Sequence, residues 1–213
     1  VTRNVAVYRA LQSMASFGLE VFALTCAERG SAIFRSLATA EDAEWFSQVL
    51  DTAWKAAAGE FDEDELAELV DEFQEHAESF GTDDAESREF FVLQSAMLAM
   101  NAIVVHLHPS AARAETSGQT LETLLGAFDF KLGGEEARIV RAGETPPPPG
   151  RLQRTEQEAQ AAVVEAVTAL TGPQEVTRTF LEEVRERCRP LREEIAVAAA
   201  TVGERAGWDA NPL

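Results

Sequence analysis

The chain has 213 residues, with 37 acidic against 18 basic side chains and a formal net charge of −19. That balance speaks against direct nucleic-acid binding, whose affinity rests on cationic contacts to phosphate, and against anionic membrane surfaces for the same reason. The length suffices for one domain, or one domain with an appendage, to bury a core without disulfides or metal, and the natural complement of the charge is a basic protein surface.

In chain order, Val5, Tyr8, Leu11 and Ala15 mark a short first helix. A second is predicted from about Phe17 to Leu37, with Val21, Leu24, Ile33 and Phe34 inward. Thr39 or Ala40 then precedes Glu41 and Asp42, and acids suit a first helical turn. The helix that follows carries Trp45, Phe46, Val49, Leu50 and Trp54 and stops at Gly59.

Between Glu60 and Phe80, Phe61, Leu66, Leu69, Val70, Phe73, Ala77 and Phe80 form one apolar stripe, and Gly81 ends it. Acids fill the rest: residues 60–89 hold fourteen Asp or Glu and one base, a net −13. Glu63, Glu68, Asp71, Glu72, Glu75 and Glu78 are the candidate partner-binding residues, and the last five follow steps of three and four that build a ridge on a helix. A concentration this dense weakens the fold through self-repulsion. It is either a solvated face or a docking surface for a basic partner.

Thr82, Asp83 and Asp84 offer N-caps for the next helix. Residues 89–106 are the most apolar run, with Phe90, Leu93, Met97, Met100, Val104 and Leu107 at helical spacing. Gln94, Ser95 and Asn101 interrupt it, and it falls short of the roughly 20 apolar residues that span a bilayer. It is therefore expected to be the buried central helix of a bundle. The expected core includes Phe22, Leu50, Trp54, Phe90, Met97, Met100 and Val104.

A connection containing Pro109 leads to a helix with Leu121, Leu124, Leu125, Phe128 and Leu132 that ends at Gly133-Gly134. Residues 143–150, with four prolines, read as a stiff linker. A helix is expected over 152–170. After Gly172-Pro173, Leu181, Val184, Cys188, Leu191 and Ile195 open a heptad-like seam. Pro190 must kink or split that helix near 187–189. The seam packs either on the chain's own bundle or as a homodimer face. The fold class is all-α: seven or eight helices around a central helix, no sheet, with a core over 1–142, the linker at 143–150, and C-terminal helices over 151–213 on the same domain.

Searches for familiar chemistry return little. No phosphate loop, HExxH or GxSxG pattern occurs, and no Glu stands three residues before a His as a di-iron bundle requires. His106 and His108 lie two apart and do not share a helical face. Asp62–Glu65 lacks the glycine that a calcium loop needs. Cys26 and Cys188 are far apart and read as small buried hydrophobes. No catalytic, cofactor or metal residues are assigned. Glu28 and Arg29 sit in an apolar helix, and if buried each must find a partner.

Phe22-Ala-Leu-Thr-Cys-Ala-Glu-Arg29, Phe34, Leu50-Asp-Thr-Ala-Trp54 and Gly118-Gln-Thr-Leu-Glu122 resemble the uncharacterised bacterial family typified by YjaG, over about residues 15–132. The resemblance implies an all-α globule and brings no activity or catalytic residues. Ala32, Phe34 and Asn101 depart from its pattern, which there favours Pro, Tyr and an acid.

With no leader-like opening, a cytoplasmic location is expected. The leading functional expectation is a non-enzymatic binding protein, an immunity protein that neutralises a basic bacterial toxin through its acidic face. The alternatives are an oligomeric scaffold or regulatory partner using the C-terminal seam, and an enzyme with an interhelical site near Glu28, Arg29 and His106.

Overall fold

Amphipathic stripes of three-four spacing can be buried only by packing helix on helix, and the chain does so throughout. The computed structural model describes residues 3–77, 80, 84–134 and 148–208. Among them are nine α-helices: α1 (Val5–Leu11), α2 (Ser16–Leu37), α3 (Ala40–Ala57), α4 (Glu63–Ala77), α5 (Arg88–Leu107), α6 (Ala111–Gly133), α7 (Arg151–Thr168), α8 (Arg178–Arg187) and α9 (Arg189–Ala206). One 3-10 turn covers Pro173–Glu175, and the described residues contain no strand. The expected all-α bundle is therefore the architecture. The count exceeds seven or eight because Pro190, in the first turn of α9, divides the C-terminal segment at Cys188, where the missing N–H costs no helical bond.

Local signals explain several boundaries. The Thr39 hydroxyl accepts from the Asp42 amide at the start of α3. Ser87, rather than Asp84, caps α5 by accepting from the Phe90 amide, and the other expected caps, Thr82 and Asp83, lie outside the described residues. Gly134 closes α6 in the left-handed region at φ 64°, where a Cβ would be strained. Most of the proline-rich segment lies outside the described residues, which resume at Pro148.

The centre of the fold corrects the sequence expectation. It is α2, with 18 of its 22 residues buried, and not α5, with nine of 20. α5, α9, α6, α3 and α7 all pack against α2. Small residues permit this: a Cβ on Gly30 would come within 2.5 Å of Leu98 Cδ1 on α5. By length and composition α5 is apolar enough to cross a membrane, but in this fold it packs against α2, α3, α4 and α6. Its inward face carries Phe91, Ala96, Leu98, Ala99, Ile103 and Val105. Phe90, Met97, Met100 and Val104, expected in the core, are only partly covered, whereas Phe22, Leu50 and Trp54 are buried.

The C-terminal helices belong to the same body. α9 lies along α2, and Leu181, Val184, Cys188, Leu191 and Ile195 are all buried within the single chain. The seam thus completes the chain's own core, which leaves these five side chains without a free face for a homodimer.

α4 is the most lightly held of the longer helices. It leans chiefly on α5, with Leu66, Phe73 and Ala77 buried. An aromatic cluster pins its far end: Trp45 lies 5.0 Å from Phe73, and Phe34 stacks on Phe46 at 4.3 Å and meets Phe80 edge-on at 5.7 Å.

Candidate functional site

Glu28 and Arg29, adjacent on the buried α2, each find a partner, but not each other. Arg29 reaches Glu156 on α7 with both arms of its fork, Nε to Oε2 at 2.6 Å and Nη2 to Oε1 at 2.7 Å. Gln160, one turn further along α7, donates to Glu156 Oε1 at 3.1 Å and to the Gly118 carbonyl of α6 at 3.2 Å. The pair is sealed, with side-chain exposures of 1% and 0%. Burial pulls the Arg29 pKa down, but Glu156 outweighs it and holds the guanidinium well above its ordinary value. The guanidinium therefore stays charged although it is sealed from solvent.

Both cysteines flank this guanidinium, Cys26 Sγ 3.6 Å from Nη2 and Cys188 Sγ 3.8 Å from Nη1. Burial pushes both thiols up, and Arg29 only partly offsets it. They are held as thiols, the inert form. A small cavity of about 80 Å³ opens beside Arg29 and Cys188, lined otherwise by α7 and α8 side chains including Ala159, Val163 and Val184.

Glu28 anchors a second cluster on another side of α2. Its Oε2 accepts from Trp54 Nε1 at 2.9 Å and Arg185 Nε at 3.0 Å, and its Oε1 accepts from Arg192 Nη1. Arg185 also donates to Asp51 at 2.5 Å and lies over the Trp54 ring, 5.5 Å from its centroid. One carboxylate thus ties α3, α8 and α9 to α2. A cleft of about 290 Å³ opens beside it, lined by Asp51, Trp54, Lys55, Glu60, Arg178 and Arg185 among others.

A third polar knot joins α1, α6 and α7. The Tyr8 hydroxyl donates to Glu122, Gln157 Nε2 donates to the same carboxyl at 2.8 Å, and Asn4 Nδ2 donates to the Gln157 carbonyl at 2.9 Å. Burial raises the Glu122 pKa above the usual carboxylate range and pushes the Tyr8 phenol up as well. Sequence reasoning missed Glu122, Glu156, Gln160, Arg185 and Arg192 as members of buried networks. One signal was available: Glu156 and Gln160 fall four apart on α7, at positions its inward face would give to apolar residues.

The structure does not bring His106 to Glu28 or Arg29. Its Nδ1 pairs with Glu20, which precedes Glu28 by about 12 Å of helix axis. That hydrogen bond raises the His106 pKa; burial opposes it, and the charges of Glu20 and Glu63 reinforce it. His108 is exposed at the end of α5. Among the described residues, no three His, Cys, Asp or Glu side chains converge as a metal ion would need.

On α4, Glu63, Glu68, Asp71, Glu72 and Glu75 are all exposed, while Glu78 lies outside the described residues. The ion pairs among the described residues use none of these five, whereas several acids elsewhere are bound to arginine, as in Glu60–Arg178, Glu194–Arg151 and Glu186–Arg189.

No family model, curated protein or solved structure matches the chain. The three segments around Cys26–Arg29, Asp51–Trp54 and Gly118–Glu122 contribute to the networks above. Cys26, Glu28 and Arg29 come from the first, the exposed Asp51 and the buried Trp54 from the second, and Gly118 and Glu122 from the third.

Proposed function

We propose that the protein is a non-enzymatic binding protein that docks a basic protein surface through the acidic face of α4. The observation that carries this reading is the contrast in pairing. Several acids elsewhere are matched by arginine, and among the described residues none of the exposed candidate acids of α4 is. An unneutralised ridge mainly speeds encounter and rejects acidic competitors, while buried anchors set the off-rate. The finer reading is an immunity protein that neutralises a basic toxin. The YjaG-like segments support a structural reading of α2 and its partners and add no activity.

The test is a pull-down from the native host, followed by stopped-flow binding of whatever is recovered. Substituting Glu68, Asp71 and Glu75 together by Lys is expected to slow association about tenfold or more at low salt, with the helical spectrum unchanged. Salt should slow the wild type as the Debye length falls towards about 8 Å. Expression of the recovered protein alone should arrest growth, and co-expression should restore it. A partner with an acidic contact surface, or a triple variant that binds as fast as wild type at low salt, refutes the docking reading. A basic partner harmless to the host refutes only the toxin reading.

A further inference from the structure

Glu28 is surrounded by more positive charge than it and its neighbour can match. Both its oxygens are engaged, by Arg192 on one side and by Arg185 and Trp54 on the other, and the nearby Asp51 is engaged by Arg185. Arg35 lies seven residues beyond Glu28 on α2, hence on the same helical face. Its Nε is buried and has no hydrogen-bond partner. Burial pulls the Arg35 pKa down, Glu28 pulls it back up, and the charges of Arg192 and Arg185 push it down again. Arg35 thus lies in the field of the same two carboxylates, Glu28 and Asp51, that Arg185 and Arg192 already engage, in a chain where acids outnumber bases 37 to 18. A chain so rich in carboxylates leaves an unmatched, part-buried arginine only against the prevailing charge balance, and an unpaired buried donor on a charged group is costly.

We propose that Arg35, with Arg192 and Arg185, forms a binding site for a small oxyanion, a phosphate or carboxylate group, at the junction of α2, α3, α8 and α9. The side chains of Arg185 and Arg192 are 33% and 27% exposed, so the cluster is open to solvent above the sealed Glu28. An oxyanion matches the planar fork of a guanidinium, with Nε and one Nη donating in parallel. It would supply the acceptor that Arg35 Nε lacks and balance the local charge. The site is independent of the acidic face, because it uses none of the residues of α4.

The test titrates inorganic phosphate, and separately acetate, into the full chain at ionic strength held constant with sodium chloride, and reads thermal unfolding and calorimetric binding. Saturable stabilisation by phosphate or acetate beyond chloride is expected, and the stronger of the two identifies the ligand class. Arg35→Met keeps the aliphatic stem and removes the donors. It should unfold no earlier than wild type in chloride and should weaken anion binding about tenfold or more. Arg35→Lys, which keeps the charge but loses the fork, should also weaken binding, and it carries the test if the methionine variant does not fold. Arg113→Gln, at an exposed position on α6, should leave anion binding unchanged. No saturable effect below about 10 mM, or equal binding by the Arg35 variants, overturns the proposal.

Discussion

Replacing Glu156 by Gln tests whether the buried ion pair organises the fold. The substitution is nearly isosteric, so its effect is electrostatic. Glu156 Oε1 accepts from Arg29 Nη2 and Gln160 Nε2, and Oε2 accepts from Arg29 Nε. Whichever way a glutamine amide turns, its NH₂ meets a donor. The charge centres lie about 4 Å apart, worth roughly 4 kcal/mol of attraction at an effective dielectric of about 20. Breaking such a pair from one side leaves Arg29 charged and sealed, so a loss of about 3–5 kcal/mol is expected, a large part of the roughly 5–15 kcal/mol that holds a domain folded. Arg29→Met strands the other partner. It leaves a buried carboxyl without its cation and should likewise cost about 3–5 kcal/mol. The double variant, Arg29→Met with Glu156→Leu, removes both charges and should be within about 2 kcal/mol of wild type or more stable. With Glu156→Leu added as the matching single variant, urea unfolding followed by circular dichroism gives all four corners of the cycle. The reasoning fails if Glu156→Gln costs under about 1 kcal/mol, or if the double variant loses the sum of the Arg29→Met and Glu156→Leu losses.

Three further outcomes are expected. His106, its pKa raised chiefly by the hydrogen bond to Glu20, stabilises the fold fully below the unfolded value of about 6.5 and loses that contribution as pH climbs through the higher folded value; the stability difference between wild type and His106→Gln should therefore shrink by about 1 kcal/mol across that window, and a flat difference in urea titrations would contradict it. Phe91, buried and stacked on Phe128 at 5.1 Å, should cost about 3–5 kcal/mol when truncated to Ala, while the half-covered Met97 should cost under about 2 kcal/mol; a reversed order would restore the sequence-based centre. Leu191→Asp should destabilise the chain by about 3 kcal/mol or more, because it buries an unpaired charge in the core; a well-folded monomer formed from a dimeric wild type, seen by light scattering, would return the seam to a dimer interface.

Helices were legible because their cause is local. The stripe of Leu66, Phe73 and Ala77, the cap at Thr39 and the break at Pro190 each act within a few residues. The centre of the fold was not, because it depends on which helix the others can approach. Hydropathy favours α5, whereas α2 carries Glu28 and Arg29, which lower its apolar score although both are buried. Their partners lie 127 to 164 residues away, at Glu156, Arg185 and Arg192. No periodicity encodes a pairing at that distance. The need for partners was readable from the burial expected of α2; their identities were not. The same holds for the heptad-like seam, whose spacing predicts an apolar neighbour without saying whether that neighbour belongs to the same chain.

The pairings of arginine give the acidic face its meaning. Arg29, Arg185 and Arg192 are drawn towards α2 by Glu156 and Glu28, and Arg187 and Arg189 are held by acids on α8 and α9. α4 carries seven acids and no lysine or arginine within Glu63–Ala77. These arginines are engaged by other acids, and among the described residues none of them pairs with the ridge of α4. Repulsion along α4 opposes the fold, offset by three buried side chains and the aromatic cluster around Trp45 and Phe73. A basic partner would turn that repulsion into attraction, and because it binds only where the helix is formed, it would stabilise the folded chain by mass action. The acids that engage arginine around α2 thus differ from those of α4, and this difference is the premise of the proposed docking.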